Sequence, residues 1–182
     1  MVNNNFTGVF NRKRDDKSNR PKVRPEMEPI DWVIEAMALI GLMAIWGYVI
    51  YHFPNLPETI PSHFNGSGQP DDYSGKDTIW ALPAIALFIY VLLSLISLVP
   101  HQFNFTVTIT PANALKQYTM AIRLIRYLKT AIIYLFFYIS YVTIRVAAGV
   151  DSGLGLWFLT IVLGGIVVPI IFYLIMANKL KA

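Results

Sequence analysis

The chain has 182 residues, of which 55% are hydrophobic and only 14% charged, with a net charge of +4 and no cysteine. Soluble domains average about 25% charged residues, so this composition excludes an ordinary soluble domain and favours one membrane domain with long uncharged stretches. Disulfides and thiolate metal sites are excluded, and nucleic-acid binding is not expected because the basic residues flank apolar runs rather than forming one face.

A polar segment opens the chain. Residues 1–29 hold seven Lys and Arg and four Asp and Glu, with no apolar run among them. This composition predicts a disordered basic tail and argues against a cleaved secretory signal. We interpret the tail as a topology signal; attraction to anionic lipids is the alternative interpretation.

Four apolar runs follow, over residues 32–51, 79–99, 130–148 and 156–176. About 20 apolar residues suffice to cross the hydrocarbon core of a bilayer, so residues 30–182 predict a four-helix membrane domain. Asp31 is the predicted N-cap of the first helix. The predicted fold class is an all-α integral membrane protein with a structured outer loop (residues 52–78) and a cytoplasmic segment (residues 100–129).

The Lys and Arg counts alternate along the chain. They are seven in the tail, one in residues 52–78, four in residues 100–129, none in the third loop and two after the last run. Loops rich in these residues stay in the cytoplasm. The alternation therefore predicts a multi-pass protein of the bacterial cytoplasmic membrane with cytoplasmic N and C termini and residues 52–78 outside.

The cytoplasmic segment contains an amphipathic pattern. From Ala112 to Arg126, apolar residues recur at helical spacing, and Lys116 and Arg123 fall on another face. This pattern predicts an amphipathic helix in the membrane interface. Its functional interpretation is a docking site for a cytoplasmic protein, and the alternative is an interfacial elbow without a partner.

The outer loop is polar and rich in turn residues. Between Pro54 and Lys76 it has four prolines and three glycines, and such a backbone cannot lie in lipid without hydrogen-bond partners. The candidate metal ligands are His63, Asp71 and Asp72 of this loop together with His52, a set that would suit Zn²⁺ or Mn²⁺. No established metal-binding spacing is present, and the alternative is a rigid lid of hydrogen-bonded turns.

Two charged residues lie within the apolar runs. Glu35 is one turn inside the first run, and Arg145 is one turn from the outer end of the third. A charge costs about 2.5–3.5 kcal/mol at the bilayer centre and less near its surface, so both side chains can snorkel. Arg145 could instead anchor the outer loop by pairing with Asp72, Asp77 or Asp151.

The outer loop resembles the motif L-P-x-x-I-P-x-H-F-N-x-x-G-x-P-D, which joins the first two helices of SdpI-like bacterial membrane proteins in their N-terminal domain of unknown function (number sixteen-forty-eight). Here the chain reads Leu56-Pro57-Glu58-Thr59-Ile60-Pro61-Ser62-His63-Phe64-Asn65, then Gly68-Gln69-Pro70-Asp71 and Gly75-Lys76. We assign a binding or structural role to this loop motif and the neighbouring aspartate: Pro57, Pro61, His63, Phe64, Asn65, Gly68, Pro70, Asp71, Asp72 and Lys76.

The resemblance implies an immunity and signalling module without catalytic residues or a required cofactor. Its expected partners are the lipid bilayer, an extracellular peptide or envelope component at the outer loop, a cytoplasmic protein at Ala112–Arg126, and further copies in an oligomer. Two alternatives stay open. One is a membrane enzyme or metal site built on His63, Asp71 and Asp72, and the other is a small transporter or a subunit of a larger membrane complex.

Overall fold

A computed structural model describes residues 17–180. Along the chain it has helix α1 (Pro29–His52), strands β1 (Thr59–Phe64) and β2 (Pro70–Gly75), and helices α2 (Ala81–Ile96), α3 (Ala114–Ala147) and α4 (Phe158–Lys179). Within this range, four stretches are long and apolar enough to cross a membrane: Pro29–Asn55, Lys76–Ile96, Ala114–Ala147 and Phe158–Lys179. The chain is a multi-pass membrane protein, and the prediction of four spans is confirmed.

Helix α1 begins one turn earlier than expected. Its N-cap is Glu28 rather than Asp31, and Pro29 occupies the first helical position, where its missing N–H costs nothing. Asp31 lies at the third position and accepts a hydrogen bond from the backbone N–H of Glu28 at 2.9 Å. Glu28 and Asp31 are consequently fixed at the first turn of α1 by a capping box.

The core lies where α1, α2 and α3 meet. Ala38, Leu42 and Ile45 of α1 pack there with Ala86 of α2 and Ile133 of α3. At Gly41, which lies beside this cluster, an added Cβ would lie 2.9 Å from the Tyr134 ring. Helices α1 and α3 are therefore in close contact, as glycine permits in membrane helices.

Helix α4 packs differently. Among its residues only Ala177 is buried, and α3 is its main neighbour. Most of its apolar side chains are exposed at its surface, where acyl chains can contact them in a bilayer. The fold is therefore a three-helix core with a fourth helix attached to α3.

The prediction of a separate amphipathic helix over Ala112–Arg126 is wrong. From Ala114 on, this segment is the first part of α3, which continues without a break to Ala147. A 34-residue helix is about 51 Å long and exceeds the hydrocarbon core of about 30 Å. The amphipathic part is therefore continuous with the apolar part of α3 and is not a helix of its own.

Part of the tail that is expected to be disordered over residues 1–29 makes contacts with the bundle, and residues 1–16 lie outside the described residues. Arg20 is buried and donates hydrogen bonds to the carbonyls of His101 and Phe103 at 3.0 and 2.6 Å. The hydroxyl of Tyr118 donates to the carbonyl of Pro21 at 3.1 Å. Arg20 and Pro21 are thus held against the segment that precedes α3 and against the first turns of α3.

The outer loop also departs from the all-α class. Strands β1 and β2 form a two-stranded antiparallel sheet, and a short 3₁₀-helix (Lys76–Trp80) connects it to α2. We call the end of the bundle that carries this hairpin the hairpin end. The opposite end carries the start of α1 and the end of α4.

Candidate binding site at the hairpin end

The hairpin is anchored to the bundle by one apolar side chain of β1. Ile60 is 1% exposed and packs with Val49, Leu56, Ile79 and Ile144. The strand register pairs residue 60 with residue 74 and shifts on either side of residue 63. Pro61 is buried beside Ile60, and because a register shift re-aims side chains, Ser62 and His63 are exposed after it.

The hairpin tip is built by the side chain of Asn65. Its Oδ1 accepts hydrogen bonds from the N–H and hydroxyl of Ser67 at 3.0 and 2.7 Å and from the N–H of Gln69 at 3.1 Å. Gly68 has a φ of +78°, a value that favours glycine. The two motif residues Asn65 and Gly68 thus have structural roles that explain their residue types.

The tip is clasped by the turn between α3 and α4. The N–H of Leu154 donates to the Gly68 carbonyl at 2.7 Å, and the Leu154 carbonyl accepts from the Tyr138 hydroxyl at 2.9 Å. We call these two hydrogen bonds the Leu154 clasp. It connects the tip of the hairpin to α3 and to the start of α4.

His63 and Asp71 form a pair on the exposed part of the hairpin. Their Nδ1 and Oδ1 atoms are 2.6 Å apart, and the side chains are 66% and 42% exposed. A carboxylate at Nδ1 favours the tautomer that carries the proton there and leaves Nε2 as an acceptor. The pair therefore presents an oriented imidazole to water.

The other charged motif residues have separate partners. The carboxylate of Asp72 accepts from the Ser62 hydroxyl at 3.2 Å. Lys76 pairs with Glu58 at 2.8 Å and lies 5.7 Å from the centre of the Phe53 ring. Lys76 thus closes the base of the hairpin rather than joining the His63–Asp71 pair.

The residues His63, Asp71 and Asp72 do not form one group of metal ligands in the structure. Across residues 17–180, no three His, Cys, Asp or Glu side chains are grouped closely enough to hold an ion. His52 contacts the rings of Tyr48 and Tyr51. The structure brings two of the four candidate ligands, His63 and Asp71, into contact, and it bonds Asp72 to Ser62.

A cleft lies beneath the hairpin. Its volume is about 480 Å³, and a neighbouring cavity of about 220 Å³ lies under the tip. Cavities of about 300–1,000 Å³ are typical of ligand sites. The larger cleft is lined by β1, the start of α2, α3 and the α3–α4 turn: Ile60, Pro61, Ser62, His63, Phe64, Thr78, Ile79, Ala81, Leu82, Ile139, Thr143, Leu154 and Phe158.

Arg145 anchors the α3–α4 turn, which also lies at the hairpin end. Of the three expected partners, it pairs with Asp151 in the α3–α4 turn, at 2.5 and 3.1 Å. The hydrogen bond from Arg145 lowers the pKa of Asp151 below its usual value of 3.8. The pair fixes the turn that carries the Leu154 clasp, so Arg145 acts on the hairpin only through that turn.

We expect the Arg145–Asp151 ion pair to make the free energy of unfolding depend on pH. Because the folded pKa is lowered, the contribution is present above the unfolded pKa of about 3.9. This contribution to stability is lost as the pH falls through the pKa that Asp151 has in the folded protein. In unfolding measurements between pH 3 and pH 6, the parent should therefore exceed Asp151→Asn in stability near pH 6, and the difference should shrink below pH 4. A constant difference would contradict this assignment.

The opposite end carries an ion ladder that was not expected from the sequence. It is formed by Glu28, Asp31 and Glu35 on the α1 side and by Arg123, Arg126 and Lys129 of α3. Arg123 bridges the first two carboxylates at 2.7 and 3.0 Å. Arg126 bridges Asp31 and Glu35 at 2.9 and 3.3 Å. Lys129 pairs with Glu35 at 2.7 Å. Each charge therefore has an opposite partner on the facing helix.

Lys129 and Asp31 are the most enclosed members of the ion ladder, each with 1% of its side chain exposed. Lys129 is the enclosed cation of the two. It also donates to the Ser94 hydroxyl at 3.0 Å and lies 4.6 Å from the centre of the Tyr90 ring. Glu35 was expected to snorkel, and Lys129 was placed in the loop before the third span. The signal that could have found the ladder is the matching helical spacing of opposite charges in the two segments.

Comparison with known proteins gives one family and one relative. Residues 38–87, which run from α1 through the hairpin into α2, match the family described as "Domain of unknown function (DUF1648)". A stretch of 47 residues is 36% identical to an uncharacterized protein of Archaeoglobus fulgidus and covers 26% of each chain. The match thus spans about a quarter of that relative. No solved structure matches the chain.

Proposed function

We propose that the chain is an SdpI-like immunity and signalling module of the bacterial cytoplasmic membrane. Its hairpin lies outside, its termini lie in the cytoplasm, and its cleft binds an extracellular peptide. The observation that carries this proposal is the cleft of about 480 Å³ whose wall is the motif strand β1. The Lys and Arg alternation supports the orientation.

The chemistry of the cleft suits an extended peptide. The described hairpin has only two strands, so β1 has a backbone edge that does not pair with β2. Such an edge can accept a further strand by main-chain hydrogen bonds. The Nε2 atom of His63 adds an acceptor for a peptide N–H, and the half-buried Phe64 supplies apolar contact. Backbone pairing would give affinity, and the side chains would give selectivity.

Signal transfer would use α1 and α3. Both helices run from the apolar cluster around Ile60 to the ion ladder. A change at the hairpin end would therefore reach the opposite end through rigid elements. The proposed contact with a cytoplasmic protein is the exposed surface at the start of α3. It includes Leu115, which is 53% exposed, and the exposed Lys116.

The test is survival of a bacterium sensitive to a secreted peptide of the kind that SdpI-like proteins counteract. The parent chain should protect relative to an empty vector, and His63→Ala should lose protection at equal membrane expression. Tyr73→Ala is the matched control, because Tyr73 is 53% exposed on β2 and does not line the cleft. No protection by the parent, or equal protection by both variants, would contradict the proposal.

The His63–Asp71 pair favours a second candidate function, a metal site or membrane enzyme. Metal-ligating histidines usually donate their second N–H to a carboxylate, as this arrangement allows. Titration of Zn²⁺ or Mn²⁺ into the purified chain should then show binding that His63→Ala abolishes and Tyr73→Ala retains. Binding that survives in His63→Ala would remove this candidate.

A further inference from the structure

A proline interrupts the hydrogen bonding of α4. The helix runs from Phe158 to Lys179 with Pro169 inside it. Because proline has no backbone N–H and its ring crowds the carbonyl four residues earlier, the Gly165 carbonyl loses its usual donor within the helix. Phe158–Lys179 is a candidate membrane span, and hydrocarbon offers no water to replace that donor. The Gly165 carbonyl therefore needs a donor from outside α4.

The Tyr127 side chain of α3 supplies this donor. Its hydroxyl donates to the Gly165 carbonyl at 3.0 Å. Neighbouring helices commonly satisfy the backbone groups that a proline frees in a membrane helix. An added Cβ at Gly164 or Gly165 would meet nothing within 4 Å, so these two positions are not braced on that side by another helix. Tyr127 thus bonds to α4 at the carbonyl that Pro169 leaves without its helical donor.

The two halves of α4 are attached to α3 at separate points. Before the proline, the Phe158 ring stacks on the Tyr138 ring with the ring centres 5.8 Å apart. After the proline, the Gln117 side chain of α3 donates to the carbonyls of Ala177 and Leu180 at 2.9 and 3.2 Å. Each half can therefore stay attached to α3 while the backbone between the two attachments opens.

We propose that α4 is hinged at Pro169 and that the Tyr127 hydroxyl is the latch that holds this hinge closed. When the latch is released, the hydrogen bonds that cross the proline open, and the two halves of α4 move as separate segments. The half before the hinge carries Phe158, which lines the cleft beneath the hairpin. The hinge therefore lets this wall of the cleft move without displacing the half that Gln117 holds.

Hydrogen exchange of the full chain in lipid nanodiscs tests the latch through a double-mutant cycle. The reporters are the amides of residues 170–172, whose helical acceptors four residues earlier lie on the other side of Pro169. Tyr127→Phe removes the donor, and Pro169→Ala restores an N–H that the Gly165 carbonyl can accept within the helix. Tyr134→Phe is the matched control, because Tyr134 of α3 is 37% exposed against 38% for Tyr127 and is not the donor to Gly165.

We expect Tyr127→Phe to accelerate exchange at residues 170–172 about tenfold, because a carbonyl left unsatisfied away from water shifts a local opening equilibrium by about that factor. In the Pro169→Ala background the same substitution should have little effect, since the helix then satisfies the carbonyl itself. Tyr134→Phe should leave the exchange at the parent rate. Equal acceleration by Tyr127→Phe in both backgrounds, or acceleration in neither, would overturn the latch.

The position of the acceleration tests the hinge. In Tyr127→Phe it should be confined to residues 170–172, and the amide of Leu42 in the core of the bundle should keep its parent rate. Acceleration spread evenly over residues 162–177 would mean that the whole of α4 leaves α3, and it would contradict a hinge at Pro169. No peptide enters the measurement, so its failure leaves the proposed peptide function untouched.

Discussion

Replacing Glu35 with leucine is expected to destabilise the protein by about 3–5 kcal/mol, because breaking a buried ion pair leaves an unpaired buried charge. The charge left behind is that of Lys129, whose side chain is 1% exposed and which has Glu35 as its carboxylate partner at 2.7 Å. The Ser94 hydroxyl and the Tyr90 ring stay in contact with it. Neither carries a negative charge that could compensate the ammonium group.

Replacing the other member of the pair, Lys129, is expected to destabilise the protein less. In Lys129→Met, Glu35 keeps Arg126 as an ion-pair partner at 3.3 Å. The side chain of Glu35 is 25% exposed, so the carboxylate is neither unpaired nor fully enclosed. The double variant Glu35→Leu/Lys129→Met should recover much of the loss, because an apolar pair of similar volume can replace a buried ion pair.

Equilibrium unfolding in mixed detergent micelles measures all three variants. Lys116→Met is the matched control, because Lys116 lies exposed on the same helix and an exposed charge contributes little. The decisive result is the order of stability: Glu35→Leu lowest, then Lys129→Met, with the control near the parent. If Lys129→Met were the least stable, the pairing of Glu35 with Arg126 would not support its charge as described.

The four spans were predictable because hydropathy is a local property of the sequence. Each span is an apolar run long enough to cross the bilayer, and no tertiary contact is needed to recognise it. The ion ladder joins residues that are 92 and 94 positions apart. Pairing at that distance depends on how two helices face each other, so Glu35 read alone suggested only a snorkelling side chain.

The hairpin tip was partly predictable. The turn chemistry of Asn65 and Gly68 is written in the residue types, and the structure gives Gly68 its positive φ. The strands were not expected, because Pro61 and Pro70 lie within them and proline weakens a strand prediction. The register shifts around His63 also disturb the alternation from which a strand is recognised.

The extent of α3 was not predictable from periodicity. The amphipathic and apolar halves of this helix differ in composition, and a change in composition suggested a break near residue 129. No proline or glycine separates the halves, and such residues are the usual cause of a break. The helix therefore continues, and the change marks where it enters the apolar span rather than where it ends.

Replacing Gly153 with alanine is expected to separate the hairpin tip from the α3–α4 turn. A Cβ at this position would collide with the backbone carbonyl of Gly68, which is the acceptor of the 2.7 Å hydrogen bond from Leu154. The backbone must shift to relieve the collision, and overpacking of this kind costs about 1–3 kcal/mol. We therefore expect a lower unfolding temperature and faster hydrogen exchange at the Leu154 amide.

Gly66→Ala, in the hairpin tip, is the matched control for Gly153→Ala in the α3–α4 turn. An added Cβ there meets nothing within 4 Å, and neither Gly66 nor Gly153 has a positive φ, so the two substitutions differ in the collision and not in backbone strain. The control should therefore leave the exchange of the Leu154 amide at the parent rate. Equal protection of this amide in Gly153→Ala would mean that the Leu154 clasp does not hold the hairpin to the bundle.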